Sequence, residues 1–303
     1  LYSVASRFVL RTQKLDSAER ITSQGTEWIR RGDGAWFLWL HYFDPHLPNW
    51  PAAPYDRLFG PPPTYTELNL TVEQIREGDF DGGDGGRSEI DRLYDGEIAY
   101  TDRYIGELWK ALVAAGEESR TAFVFSSDHG EEFWDHDDYG HGHAMYDEVV
   151  RVPLMVRVPG GADGRVVTDL VGTVDLARTA CAAAELDGSR FRGRNRLEPD
   201  GAPTVTYGEA TLYGEEQKFL RTEEWKMVYR PDSDTRELFH IGRDPGEREN
   251  RLASEPAVAD TLFRQLEDLI ALIGSEGAMA ARDPDLDPDI LDQLEAVGYV
   301  ADK

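Results

Sequence analysis

Two short polar motifs carry residue types able to hold a cation and move a proton. Asp44-Pro45-His46 follows an apolar run ending at Phe43, and Ser127-Asp128-His129-Gly130 follows another ending at Ser126. Behind the second comes a dense run of acids and histidines: Glu131, Glu132, Asp135, His136, Asp137, Asp138, His141 and His143. A carboxylate beside an imidazole offers mixed oxygen and nitrogen ligation. That suits Mn, Zn or Fe, and Mg or Ca where carboxylates dominate. Gly130 lets the backbone turn closely around an ion. His46, between Pro45 and Pro48, is placed to donate a proton or hydrogen bond to an anionic substrate. His141 and His143, in Gly140-His141-Gly142-His143, add imidazoles for an anionic ester. Taken singly, each motif also fits a structural role: a capping Asp, a surface histidine, a flexible glycine loop.

The elements around these motifs read as α/β. Asp16 to Arg31 has helical spacing of apolar residues, and Gly32 and Gly34 end it. Ala35 to Phe43 is nearly continuous apolar and aromatic, which predicts a strand buried on both faces of a parallel sheet. Prolines at 45, 48, 51, 54 and 61 to 63 make residues 44–66 a surface excursion. Gly78 to Gly86 reads as an acidic flexible loop. It has a loose likeness to a calcium loop but not the EF-hand spacing. Ser88, with Asp91 as a capping partner, predicts the start of a long helix closed by Gly116. Thr121 to Ser126 is the next strand, so a parallel βαβ unit with 35–43 is expected. Strand end and motif coincide in both cases, as ligand sites do in parallel α/β sheets. Val152 to Val158 predicts a further strand and Val174 to Leu186 a helix. After about residue 200, short strands at 204–207, 217–222, 225–230 and 237–240 predict a small antiparallel sheet. Helices at about 256–274 and 288–296 complete the chain. The division read from this change of pattern is 1–200 for the α/β core and 201–303 for a small C-terminal subdomain.

Composition excludes several function classes. The 303 residues hold 32 Lys plus Arg against 58 Asp plus Glu, a net charge of −26, so no nucleic-acid partner bound by phosphate neutralisation is expected. Only five of the cations are lysines. An acidic, lysine-poor surface reads as adaptation to high salt, or as an ordinary acidic protein of an arginine-rich genome. One cysteine, Cys181, leaves no internal disulfide and no Cys-rich zinc site. No apolar run reaches the roughly 18 residues of a transmembrane helix. Leu1 opens in mid-pattern without Met, and the chain reads as truncated at its N-terminus.

Several segments together resemble the sulfatase family of the alkaline-phosphatase-like superfamily. They are FLWLHYFDPHLP (37–48), YDGEIAYTDRYIGELWKAL (94–112), FVFSSDHGEEF (123–133) and GHGHAMYDEVVRVPLMVRVPG (140–160). Near the end come KFLRTEEWKMVYR (218–230), ELFHIGRDPGERENRLA (237–253) and LDQLEAVGYV (291–300). The resemblance implies an α/β fold with a mostly parallel sheet flanked by helices, plus a small C-terminal antiparallel sheet. It implies hydrolysis of small anionic sulfate esters with a divalent metal. Asp128 and His129 match a pair of metal ligands; many members carry Asn at the second position and bind calcium. His129 keeps Mn or Zn open, and it raises phosphodiester, phosphonate monoester or phosphoglycerol chemistry as an alternative. His46 matches a histidine at the sulfate group and leaving group. His141 and His143 stand where many members place a substrate-binding Lys, and His143 is read with His46 as catalytic. The family's nucleophile is a formylglycine made from Cys or Ser in a Cys/Ser-x-Pro-x-Arg signature. No such signature occurs here, so the formylglycine is expected in a missing N-terminal part and the isolated chain is expected to be inactive. A non-catalytic interaction module is the remaining alternative.

Overall fold

The structure, a computed structural model, describes residues 17–32, 34–46, 49–63, 83–161, 164–198, 204–210, 212 and 214–280. They form two compact units, one ending at Ser119 and one beginning at Arg120.

The first unit is built on α1 (Ala18–Arg31) and α2 (Gly83–Ala114). Ala18, Thr22, Gly25 and Ile29 recur at steps of four and three, so one face of α1 is buried. Gly25 permits a close approach: a Cβ there would lie 2.8 Å from Leu40 Cδ1. Thr22 Oγ1 shares a 2.9 Å hydrogen bond with the Tyr42 hydroxyl and donates to the Tyr104 carbonyl at 3.2 Å. Opposite, α2 buries Ile90, Leu93, Tyr100, Leu108 and Leu112. This helix begins at Gly83, ahead of the expected cap at Ser88. Residues 83–86 are therefore wound into its first turn rather than looped, at the helix end where glycine costs least. The rest of the candidate calcium loop, 78–82, lies outside the described residues, as does the expected helix at 288–296.

The run Ala35–Phe43 differs from expectation. Residues 36–43 form no ladder, and burial alternates along them. Phe37 is 65% exposed and Trp39 76%. An apolar run becomes a doubly buried strand only between two neighbours, and no strand pairs with it among the described residues.

In the second unit, β1 (Phe123–Ser126) pairs antiparallel with β4 (Leu154–Arg157), in register from Phe123↔Arg157 to Ser126↔Leu154. The parallel partner expected for β1 is not among the described strands. Between them lie the hairpin β2 (Glu132–Phe133) and β3 (Tyr139–Gly140), then the single turn α3 (Asp147–Val150). After α4 (Leu176–Ala183) comes a four-stranded antiparallel sheet: β5 (Thr206–Ala210), β6 (Gln217–Arg221), β7 (Trp225–Arg230) and β8 (Thr235–His240), neighbours in that order. Alternation sets its two faces. Leu220, Met227 and Leu238 pack on Ala259, Leu262, Phe263 and Leu266 of α5 (Pro256–Ala280). Their neighbours Phe219, Val228 and Phe239 pack on Met145, with Tyr146 and Val150 beside them. The C-terminal sheet thus rests directly on the segment that follows the Gly-His-Gly-His motif.

Candidate functional site

Asp128 and His129 sit immediately beyond β1, at the end where the chain leaves its ladder. Ser126 Oγ donates to the Pro153 carbonyl at 3.0 Å, and Ser127 Oγ to the His129 carbonyl at 2.8 Å. The His129 backbone N–H donates to Asp128 Oδ1 at 3.0 Å. Oδ2 lies 3.9 Å from His129 Nε2. One cation with ligand distances of about 2.0–2.4 Å reaches both atoms. His129 Nδ1–H donates to the Gly130 carbonyl at 2.7 Å. In the neutral ring that bond leaves the lone pair on Nε2, the atom facing Asp128, which is how metal-bound histidines are commonly oriented. The residues present therefore fit a divalent metal.

The strand end is fastened to α3 by its backbone. Gly130 N–H donates to the Val149 carbonyl at 2.7 Å and Glu131 N–H to the Glu148 carbonyl at 3.0 Å. A Cβ at position 130 would lie 2.1 Å from the Glu148 carbonyl oxygen, so glycine is required for this approach.

His141 belongs to the same group. Its ring stacks on His129 with centroids 3.8 Å apart, and its Nδ1 lies 2.9 Å from Glu131 Oε1. His143 takes a different acid: its Nε2 lies 2.7 Å from Glu132 Oε2. Glu132 is fully buried, and its Oε1 accepts the backbone N–H groups of His136 and Asp138, each at 2.9 Å. Burial pushes the Glu132 carboxyl up, but His143 and the two backbone donors outweigh it and hold the group below its ordinary value. The loop it closes is tightly wound, with Trp134 at φ 62° and Asp137 at φ 67°.

A second cluster escaped sequence reading. Glu132, His136 and Glu148 each bring one possible ligand atom within 4.8 Å of the others, so a metal could be held there too. His136 Nε2–H donates to the Glu247 carbonyl at 3.2 Å while Nδ1 meets the Glu148 carboxylate. Each ring nitrogen of His136 thus already meets an acceptor. The ring lies flat on Tyr146, at 3.6 Å and 10°. Dense His and acid content gave the only sequence signal; which pairs form depends on chain closure between residues 136, 148 and 247.

His46 lies in the first unit. Its N–H donates to the Phe43 carbonyl at 3.1 Å and its ring stacks on Phe43 at 4.6 Å. The structure thus groups Asp128, His129 and His141, and gives His143 to Glu132.

Solved structures share this fold. A phosphonate monoester hydrolase of Agrobacterium radiobacter aligns with TM-score 0.70 and 23% identity, over 84% of this chain and 62% of that one. A protein solved with its substrate D-glucosamine-2-N,6-O-disulfate aligns with TM-score 0.67 and 17% identity, over 89% and 71%. The fold is alkaline-phosphatase-like. Arylsulfatase K of Bos taurus is 27% identical over 206 residues, covering 60% of this chain and 36% of the cattle protein. The chain thus matches about a third of the length of that relative. With the sulfatase profile matched over residues 5–186, more than half of its length, the chain belongs to the sulfatase family.

Proposed function

We propose that this chain carries part of the site of a metal-dependent hydrolase acting on sulfate esters of small molecules. The observation that carries the reading is the Asp128–His129 pair beyond β1, with Nε2 oriented by the Gly130 carbonyl, in a chain of this family. Asp128 Oδ2 and His129 Nε2 would hold the metal, which when bound supplies positive charge to the oxygens of the transferring group. Calcium is the choice by family, and Mn or Zn the choice by the nitrogen ligand. His46 donates a proton to the leaving oxygen. His141, held by Glu131, and His143, held by Glu132, face the anionic ester. The attacking group is the family's formylglycine, and none of the 303 residues stands in its signature. The substrate-bound neighbour, whose ligand is a sulfated amino sugar, supports sulfated sugars as a substrate class. His129 in place of Asn favours a second reading on the same fold: phosphonate monoester or phosphodiester hydrolysis. The domain division at residue 200 stands as part of the same proposal.

Titration with Ca²⁺ and with Mn²⁺, followed by calorimetry, tests the site. Asp128→Ala is expected to abolish binding; unchanged binding would remove Asp128 and His129 from the metal site. The 303-residue chain is expected to turn over neither an aryl sulfate nor a phosphodiester. Metal-dependent turnover would show that the nucleophile lies within it. A reading frame upstream of Leu1 that encodes Cys/Ser-x-Pro-x-Arg favours the hydrolase. One that lacks it favours a non-catalytic binding module.

A further inference from the structure

A fully buried cation of the second unit stands on β7. Lys226 is fully buried, with Nζ 3.0 Å from Asp147 Oδ1 and 2.8 Å from Glu247 Oε1. Its ammonium also lies 5.3 Å from the Phe219 ring centroid. Arg221 of β6 pairs with the other Asp147 oxygen. The Asp147 backbone N–H donates to Glu247 Oε2 at 2.6 Å. Asp147 opens α3, and the next two residues, 148 and 149, supply the carbonyls that receive the N–H groups of 131 and 130. Glu148 is held again by His136, whose other nitrogen donates to the carbonyl of Glu247. Every link in this path is a short polar contact, and it runs from the floor of the C-terminal sheet to the residues that follow Asp128 and His129.

We propose that Lys226 is a positioning residue for the Asp128–His129 site, acting through Asp147 and the backbone bonds that fasten residues 130 and 131 to residues 148 and 149. This rests on the reading of Asp128 and His129 as metal ligands. A buried cation with two carboxylates is a weak device for stability, because desolvation offsets most of the attraction. It is a strong device for geometry, because three of the four carboxylate oxygens of Asp147 and Glu247 take a named donor, from Lys226, Arg221 and the Asp147 backbone N–H. Here it fixes α3, and α3 fixes the turn whose Gly130 carbonyl sets the His129 tautomer. The C-terminal sheet therefore acts as the floor of the site.

The test compares Lys226→Met with Leu262→Ala, which opens a gap between the same sheet and α5 without touching the path. Both are read in the full chain, below their unfolding temperatures. One readout is the long-range ¹H–¹⁵N spectrum of His129, which distinguishes the Nδ1–H tautomer. The other is Mn²⁺ titration. Lys226→Met is expected to lose the Nδ1–H signature and to raise the Mn²⁺ half-saturation concentration about tenfold, as supporting partners of metal ligands do. Leu262→Ala is expected to melt lower and change neither. A native His129 spectrum and native Mn²⁺ titration in Lys226→Met would overturn the proposal. Where Lys226→Met does not fold, Asp147→Asn, which keeps the shape of the side chain, decides by the same two readouts. A wild-type chain that takes up no Mn²⁺ would sink the metal reading alone, since the His129 spectrum still judges the positioning.

Discussion

Glu132 shows how one buried carboxylate organises its neighbours. Three donors converge on it, two from the loop backbone and one from His143. Its folded-state value is depressed, so its contribution to stability is present above the ordinary value of 4.5 and is lost as pH falls through the depressed one. Replacement by Gln keeps two acceptor positions on one oxygen but removes the charge. Glu132→Gln is expected to cost about 1–3 kcal/mol at neutral pH, with a smaller difference from wild type once pH has fallen through the depressed value. Urea midpoints across that range check it, and parallel curves would show that the carboxylate is not ionised in the fold. Asp147 shares this sign: burial raises it, and Lys226 with Arg221 brings it below the ordinary value. Glu247 has the opposite sign, since burial outweighs the pull of Lys226. These assignments were out of reach of the sequence. In Gly-His-Gly-His the two histidines look equivalent, and only the folded loop gives one to Glu131 and the other to Glu132. Lys226 likewise reads as an ordinary strand residue, because its partners are about 80 residues upstream and 20 downstream.

At the scale of elements, the strand end and α3 meet at a point with no room for a methyl group. Gly130→Ala would press a Cβ against the backbone oxygen of Glu148, which cannot rotate away. The variant is expected to break the bonds of residues 130 and 131 to α3, at a cost of about 2–4 kcal/mol. It is also expected to lose metal uptake. Calorimetric melting with a Mn²⁺ titration would show this, and a variant that keeps its melting temperature would contradict the contact. The elements that sequence reading placed best are those whose period reports their packing. The α2 helix follows from the helical spacing of Ile90, Tyr94, Ile98, Thr101, Ile105, Trp109 and Leu112, although its buried face is shifted: Leu93, Tyr100 and Leu108 turn inward and Ile98 is exposed. The C-terminal strands follow from the short runs at 204–207, 217–222, 225–230 and 237–240, while their two faces come from the folded packing. The run 35–43 misled for a physical reason: apolar content reports the capacity to be buried, and burial on two faces depends on neighbours that the run itself does not encode.

For the whole molecule, charge is the dominant variable. A net −26 carried on a 303-residue chain repels itself at low salt. Raising ionic strength from 0.1 to 1 M shortens the screening length from about 10 to about 3 Å. The melting temperature is expected to climb by several degrees over that range. A flat or falling curve would count against salt adaptation. The same repulsion has a second effect. Residues 36–43 display Phe37 and Trp39 to solvent on a segment whose backbone has no ladder partner among the described residues. Exposed aromatic side chains of this kind are points of association between molecules. Mutual repulsion between acidic molecules holds that association in check. Screening relaxes that check, so the salt that favours the folded chain also lowers its colloidal stability, and the useful working concentration is set by a compromise between the two.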